Sequence, residues 1–276
     1  MVYTSKKKVF DKIVRYIKEI RIQGATNIAK SALTAYFLLP SVKSKRMLLN
    51  ARPTEPMMWR VLQLANQVPK EKILEHFKEA QDKMNKSTLG LIKNGDTLFT
   101  HCHSTNVSKA LIYAHKKGKK FRVFNTETRP LYQGRKTAKE LSKVGIKVTM
   151  FTDSALATAM EKDNGKDKEF VTKVLFGADA LIKEGVINKI GSKTISEFAK
   201  MHKIPVYVIA DSWKFTKNKV PIEQRKLNEV WDRAPKKIKI KNPAFEFVPK
   251  KYISGIITEH GLMRYDNFAR RLLKGN

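Results

Sequence analysis

The sequence predicts an α/β fold, with an N-terminal helical domain followed by a Rossmann-like parallel sheet carrying helices on both faces. Three observations lead there. Residues 1–85 place apolar side chains at helical spacing. From about Gly95, short β-rich runs alternate with amphipathic stretches, the pattern of a parallel sheet with crossover helices. Each of the five predicted strands also ends in a polar cluster, and the carboxyl ends of strands are where open parallel sheets bind ligands.

Lys7–Leu33 reads as helical with an interruption near Gly24, and Met57–Leu64 and Ile73–Met84 continue the pattern. Pro40, Pro53, Pro56 and Pro69 mark the breaks, because proline removes a backbone donor and restricts the residue before it. The Met57–Met58–Trp59 cluster reads as core packing. The helical domain is assigned to residues 1–90 and the α/β domain to 91–276. In the second domain the strands are Thr97–Thr100, Arg122–Asn125, Lys147–Thr152, Thr172–Phe176 and Val206–Ala210. Asn106–His115 and Thr137–Val144 are helices between them. Lys236–Lys241 reads as a basic linker, and Tyr252–Glu259 as a last helix docking Ile253, Ile256 and Ile257.

The composition narrows the function classes. At 276 residues and 42% hydrophobic content the chain can bury a sizeable core. No apolar run reaches the length of a membrane span, and the N-terminal segment lacks the apolar stretch of a signal peptide, so a cytoplasmic protein is expected. The single cysteine excludes an internal disulfide and a cysteine-based metal cage. Fifty-six Lys and Arg against 25 Asp and Glu give a net charge of +31. Such a charge suits phosphate-bearing partners. The lysines are spread along the whole chain with no dense tract, so a generally lysine-rich or thermophilic surface accounts for the charge as well as nucleic-acid contact does, and a nucleic-acid partner is possible but not favoured.

The strand ends supply the candidate chemistry. They read His101-Cys102-His103-Ser104, then Thr126 to Pro130, Asp153-Ser154, Gly177-Ala178-Asp179 and Asp211-Ser212-Trp213-Lys214. Ser104, Thr105 and Asn106 open the helix after the first strand, where free amides suit a phosphate. His101 and His103 stand two apart without a clear third ligand, so no metal is expected.

These motifs resemble one superfamily. THCHS (100–104), TETRPLYQG (126–134), GAD with GVINKIGS (177–192) and DSWKF (211–215) are its marks, with IQGATNIA (22–29), ARPT (51–54) and NPAFEFVPKKYI (242–253) in the expected order. The superfamily contains the regulatory subunits of translation initiation factor 2B, methylthioribose-1-phosphate isomerase and ribose-1,5-bisphosphate isomerase. The isomerases carry a Cys in THC and an Asp in GAD, and this chain keeps both as Cys102 and Asp179. The resemblance implies Cys102 as proton acceptor and Asp179 as proton donor. A thiolate of lowered pKa is a competent base, and a protonated carboxyl in a dry pocket is a competent acid. It further implies that Gly24, Ala25, Thr26, Arg52, Asn188, Lys189 and Lys214 bind substrate alongside Ser104, Thr105 and Asn106. Arg129 and Gln133 look structural or interface-forming. Two departures stand near the site: Gln23 replaces the arginine of an Arg-Gly-Ala loop, and the turn between Asp179 and Asn188 is one residue shorter.

The function implied is aldose–ketose isomerisation of a phosphorylated pentose, with ribose 1,5-bisphosphate to ribulose 1,5-bisphosphate the best single reading. It needs no metal or organic cofactor, and the resemblance also implies a homodimer or higher homo-oligomer. The rival expectation is a non-catalytic regulatory subunit that senses a sugar phosphate or nucleotide. A methylthioribose phosphate isomerase ranks lower, because ARPT and DSWKF match the bisphosphate enzyme better.

Overall fold

The computed structural model describes residues 2–161 and 170–274. Five helices come first: α1 (Val2–Lys18), α2 (Ala25–Leu38), α3 (Val42–Ala51), α4 (Pro56–Leu64) and α5 (Lys70–Leu91). The prolines fall between or at the start of these helices. Pro56 takes the first helical position of α4 and Pro69 is the N-cap of α5. Phe10, Ile17, Ile28, Leu33, Leu48, Met57 and Met58 bury into one cluster, so the paired methionines are core.

Among the described residues, the main sheet has seven strands in the order β10-β9-β7-β4-β1-β2-β3. They are β1 (Thr97–Thr100), β2 (Arg122–Thr126), β3 (Lys147–Phe151), β4 (Lys173–Phe176), β7 (Val206–Ile209), β9 (Gly255–Thr258) and β10 (Gly261–Met263). Every pairing is parallel except β9 with β10. The period of two is visible in the packing. Leu98, Val123, Leu175, Ile209 and Ile257 face α5, α6 (Thr105–Lys116) and α7 (Gln133–Ser142). Phe99, Phe124, Val174, Phe176 and Val206 face α8 (Leu156–Met160) and α9 (Ser192–Met201). Helix α5 joins the two parts of the chain. Its Ile73 and Phe77 belong to the helical cluster, while Ala80 and Met84 pack under the sheet.

The C-terminal third corrects the sequence reading. Tyr252–Glu259 is not a helix. Its centre is strand β9, and the last helix is α10 (Tyr265–Lys274). Ile256 and Ile257 are both buried, on opposite faces of the sheet. A short apolar run buried on two sides has no periodicity that separates strand from helix, and the β-branched side chains favour the strand. The sequence reading also lacks a second, antiparallel sheet of β5 (Ala180–Ile182), β6 (Gly185–Lys189) and β8 (Phe245–Pro249). Gly185 is required there, since a side chain would run into the Val248 carbonyl. This small sheet carries Asn188 and Lys189. The Lys236–Lys241 stretch is irregular, as expected of a linker.

Candidate active site

Strand β1 delivers its polar end into a sharp turn. Cys102 has φ 65°, a left-handed conformation that a non-glycine residue adopts at a cost. The turn is pinned from both sides. The Cys102 N–H donates to Thr128 Oγ1 (2.9 Å), and Thr137 Oγ1 donates to the Cys102 carbonyl (2.8 Å). Thr128 is held in turn by its own N–H on Asp153 Oδ1 (2.9 Å).

The flanking histidines are each held by hydrogen bonds. His101 Nε2 lies 2.8 Å from the Ile190 carbonyl, which can only accept, so that nitrogen carries the hydrogen. Its Nδ1 then accepts from Thr126 Oγ1 at 2.5 Å. Burial pushes the His101 pKa down and keeps the ring neutral. His103 Nδ1 donates to Thr137 Oγ1 (3.1 Å), whose own hydrogen is spent on Cys102.

Beyond the turn, Ser104 caps α6, accepting from the Val107 N–H at 3.4 Å. Strand β4 ends opposite it at Gly177-Ala178-Asp179. A side chain at Gly177 would collide with that of Ser104, so glycine is what lets these strand ends close together. Across from them, Gly24 (φ 83°) starts α2 without a side-chain cap. The resulting cleft is lined by Gly24, Ala25 and Thr26, by His103 to Asn106, by Gly177 to Asp179, and by Asn188 and Lys214. Two helix N-termini, α2 and α6, therefore converge on one space. The first amides of a helix lack partners within it and carry partial positive charge.

Lys214 follows β7 on a tight 3-10 turn. Its Nζ donates to the Ala178 carbonyl (2.6 Å) and to Asn106 Oδ1 (3.4 Å). Burial pushes its pKa down, opposed by Asp179, Asp211 and Glu55. The turn is clasped from outside. His76 stacks on Trp213 at 3.5 Å and meets Asp211 at 3.1 Å, while Glu259 accepts from the Ser212 N–H at 3.0 Å. His76, Asp211 and Glu259 are close enough to share a cation, but each is engaged in this clasp. Asn188 donates to Ser192 Oγ (2.8 Å), and Asn106 to Gln81 Oε1 (2.9 Å).

Arg52, Cys102 and Lys189 stand outside the cleft lining but within its electrostatic reach. Lys189 and Asp179 both act on the Cys102 thiol. Burial pushes that thiol up to about 11, with Lys189 pulling the other way. The expected lowered thiol pKa is therefore corrected: Cys102 is a neutral thiol, because desolvation outweighs the nearby ammonium. Asp179 is pushed up by burial, against the pull of Lys214, Lys189 and Arg52.

The sequence reading missed Glu55. This glutamate is only 2% exposed and sits beside Arg52. Burial, then the charge of Asp179, pushes it up to about 8, against the pull of Arg52 and Lys214. Glu223 was also missed. It pairs with Arg52 Nη2 at 2.9 Å across 171 positions of sequence. The one available signal was the acid inside ARPTEP, where a helix start prefers Ser, Thr, Asp or Asn.

Comparison with known proteins places this architecture. The chain matches the Initiation factor 2 subunit family over residues 41–265 and belongs to that family. It is 35% identical to a ribose 1,5-bisphosphate isomerase of Methanocaldococcus jannaschii, covering 90% of this chain and 89% of that protein. It is 32% identical to a methylthioribose-1-phosphate isomerase of Thermosipho melanesiensis, covering 97% and 90% respectively. Among solved structures, a Pyrococcus horikoshii translation initiation factor eIF-2B superposes with a TM-score of 0.80 at 26% identity, covering 92% of this chain and 96% of that one.

Proposed function

We propose that this chain is an aldose–ketose isomerase of a phosphorylated pentose, acting on ribose 1,5-bisphosphate to give the ribulose bisphosphate. The observation that carries the reading is the convergence of two helix N-termini on the cleft that holds Asp179 and Lys214. Arg52 and Lys189 add positive charge beside it. The relatives with isomerase names point to the same chemistry.

With C1 phosphorylated the ring must open: the ring oxygen takes a proton, C2 gives up its hydrogen to a base, and the enol so formed is reprotonated at C1 as the C2 hydroxyl gives up its proton and becomes the ketone. Asp179, whose pKa burial raises, is suited to donate. Cys102 is suited to accept once its thiolate is formed, and Lys189 is the charge that favours that thiolate. The cleft holds only about 40 Å³. Ligand sites of this kind are several hundred Å³. Binding therefore requires the cleft to widen. A homo-oligomeric assembly belongs to the same reading.

The regulatory alternative draws on the close superposition with a translation factor and on the suppressed thiolate. A turnover assay with a panel of pentose and methylthiopentose phosphates separates the two. Isomerisation of a pentose bisphosphate by the wild type, lost by ~10²–10⁴-fold in Asp179→Asn with ligand affinity retained, is the expected result. No turnover with any substrate, combined with ligand-dependent change in partner or self-association, would favour the regulatory reading.

A further inference from the structure

Helix α4 begins in an unusual way. Glu55 is its N-cap, yet the side chain makes no cap hydrogen bond. The carboxylate turns inward instead, is 2% exposed, and leaves Oε2 without a hydrogen-bond partner. Its Oε1 lies 3.5 Å from Arg52 Nε, within ion-pair range but without a hydrogen bond. Arg52 is itself buried, with Nη2 on Glu223 and with Nε and Nη1 unpartnered. A buried carboxyl and a buried guanidinium thus sit side by side, with Glu55 Oε2 and two of the Arg52 nitrogens lacking hydrogen-bond partners. Unpaired buried groups of this kind are costly, which implies a further partner for one of them.

We propose that Glu55 is a positioning residue: it stands beside Arg52 and takes up a proton when a phosphate dianion binds, which leaves the unpartnered Nε and Nη1 of Arg52 to the ligand. This rests on reading the cleft as a sugar-phosphate site. The charges that face Glu55 come from every side. Arg52 is on the preceding segment, Lys214 on the turn after β7, Asp179 at the end of β4, and Glu223 on the loop before β8. Ionised, Glu55 adds a negative charge to a cluster in which two other carboxyl groups already face the two cations, an excess of acidic over basic groups. A phosphate dianion added nearby meets that excess, and protonating Glu55 removes it. The proton comes from solvent, and no other bond changes.

The titration of Glu55 supports this, because burial and Asp179 push it up to about 8. Below that pH the carboxyl is already neutral and binding needs no proton. Above it each ligand carries a proton in with it, and affinity falls by up to about tenfold per pH unit. Lys214 and Asp179 also titrate away from their ordinary values, so the decisive quantity is the difference between wild type and variant.

The test is calorimetric titration of the full chain with ribose 1,5-bisphosphate and, separately, inorganic phosphate. Running it from about pH 6.5 to 9.5 in two buffers of different ionisation enthalpy counts protons taken up per ligand. Wild type should go from near zero protons to an extra proton across this range, and Glu55→Gln should lose most of that rise. The shorter acid in Glu55→Asp should keep the uptake with a displaced midpoint, which covers the case in which Glu55→Gln does not fold. Equal uptake in wild type and Glu55→Gln, or an undisplaced midpoint in Glu55→Asp, overturns the proposal and leaves the sugar-phosphate reading standing. Absence of binding by both ligands in wild type at every pH overturns that reading and this proposal with it.

Discussion

Cys102 is the chain's only cysteine, so its reactivity can be read directly by alkylation. Its pKa rises from an ordinary 9.0 to about 11 because burial penalises the thiolate more than Lys189 stabilises it. Two pKa units reduce the thiolate fraction at neutral pH about 100-fold. A more basic thiolate is also a better nucleophile, by about 0.4–0.5 log units per pKa unit, which returns roughly eightfold. The net expectation is alkylation by iodoacetamide roughly tenfold slower than a free cysteine near pH 7.5, before any loss of access. The rate should keep climbing through about pH 10 without a plateau. Mass spectrometry of the intact chain measures it, because one adduct is the whole signal. Lys189→Met removes the main opposing charge and should slow the reaction further. A plateau below pH 8 would refute the argument that desolvation dominates at this thiol, and no effect of Lys189→Met would refute the opposing role given to Lys189.

Other substitutions test the scaffold around the site. Gly177→Ala places a methyl against the Ser104 side chain, so it should destabilise by about 1–3 kcal/mol and weaken phosphate binding, read by denaturant unfolding and calorimetry. Tyr265→Phe removes a buried hydroxyl that lies against the carbonyls of Ile182 and Gly185, and should cost about 1–3 kcal/mol in chemical denaturation. Asp96 is held below its ordinary pKa: burial raises it, but hydrogen bonds from Lys173, the Lys93 amide and Thr172 outweigh burial. A depressed carboxylate stabilises the fold above its unfolded value of about 3.9 and loses that contribution as pH falls through the folded value. Asp96→Asn should therefore be less stable than wild type at pH 7, with the gap closing in acid. A gap that stays constant from neutral to acid pH would show that the Lys173 pair contributes nothing.

Local pattern determined a large part of this protein. The helical N-terminal stretch, its breaks at the prolines and the alternation after Gly95 follow from backbone restriction and apolar spacing, which act over a few residues. The strand ends were legible for the same reason. Once β1 and β4 are placed, His101 to Asn106 and Gly177 to Asp179 must lie at their carboxyl edge. The convergence of Gly24–Thr26 on Ser104–Asn106 was foreshadowed by motif resemblance but not by spacing. It depends on how α2 packs across the sheet.

Tertiary structure decided the rest. Ile256 and Ile257 read as helix because nothing in a short run announces burial on two faces. The β5–β6–β8 sheet escaped notice because it joins residues near 185 to residues near 247. Charge states were the least accessible. Cys102 became a weakly acidic thiol, and Glu55 an almost neutral carboxyl beside Arg52, through desolvation and through groups distant in sequence such as Glu223. A residue's type fixes its ordinary pKa. Only the packed fold fixes how much water it loses and which charges replace that water.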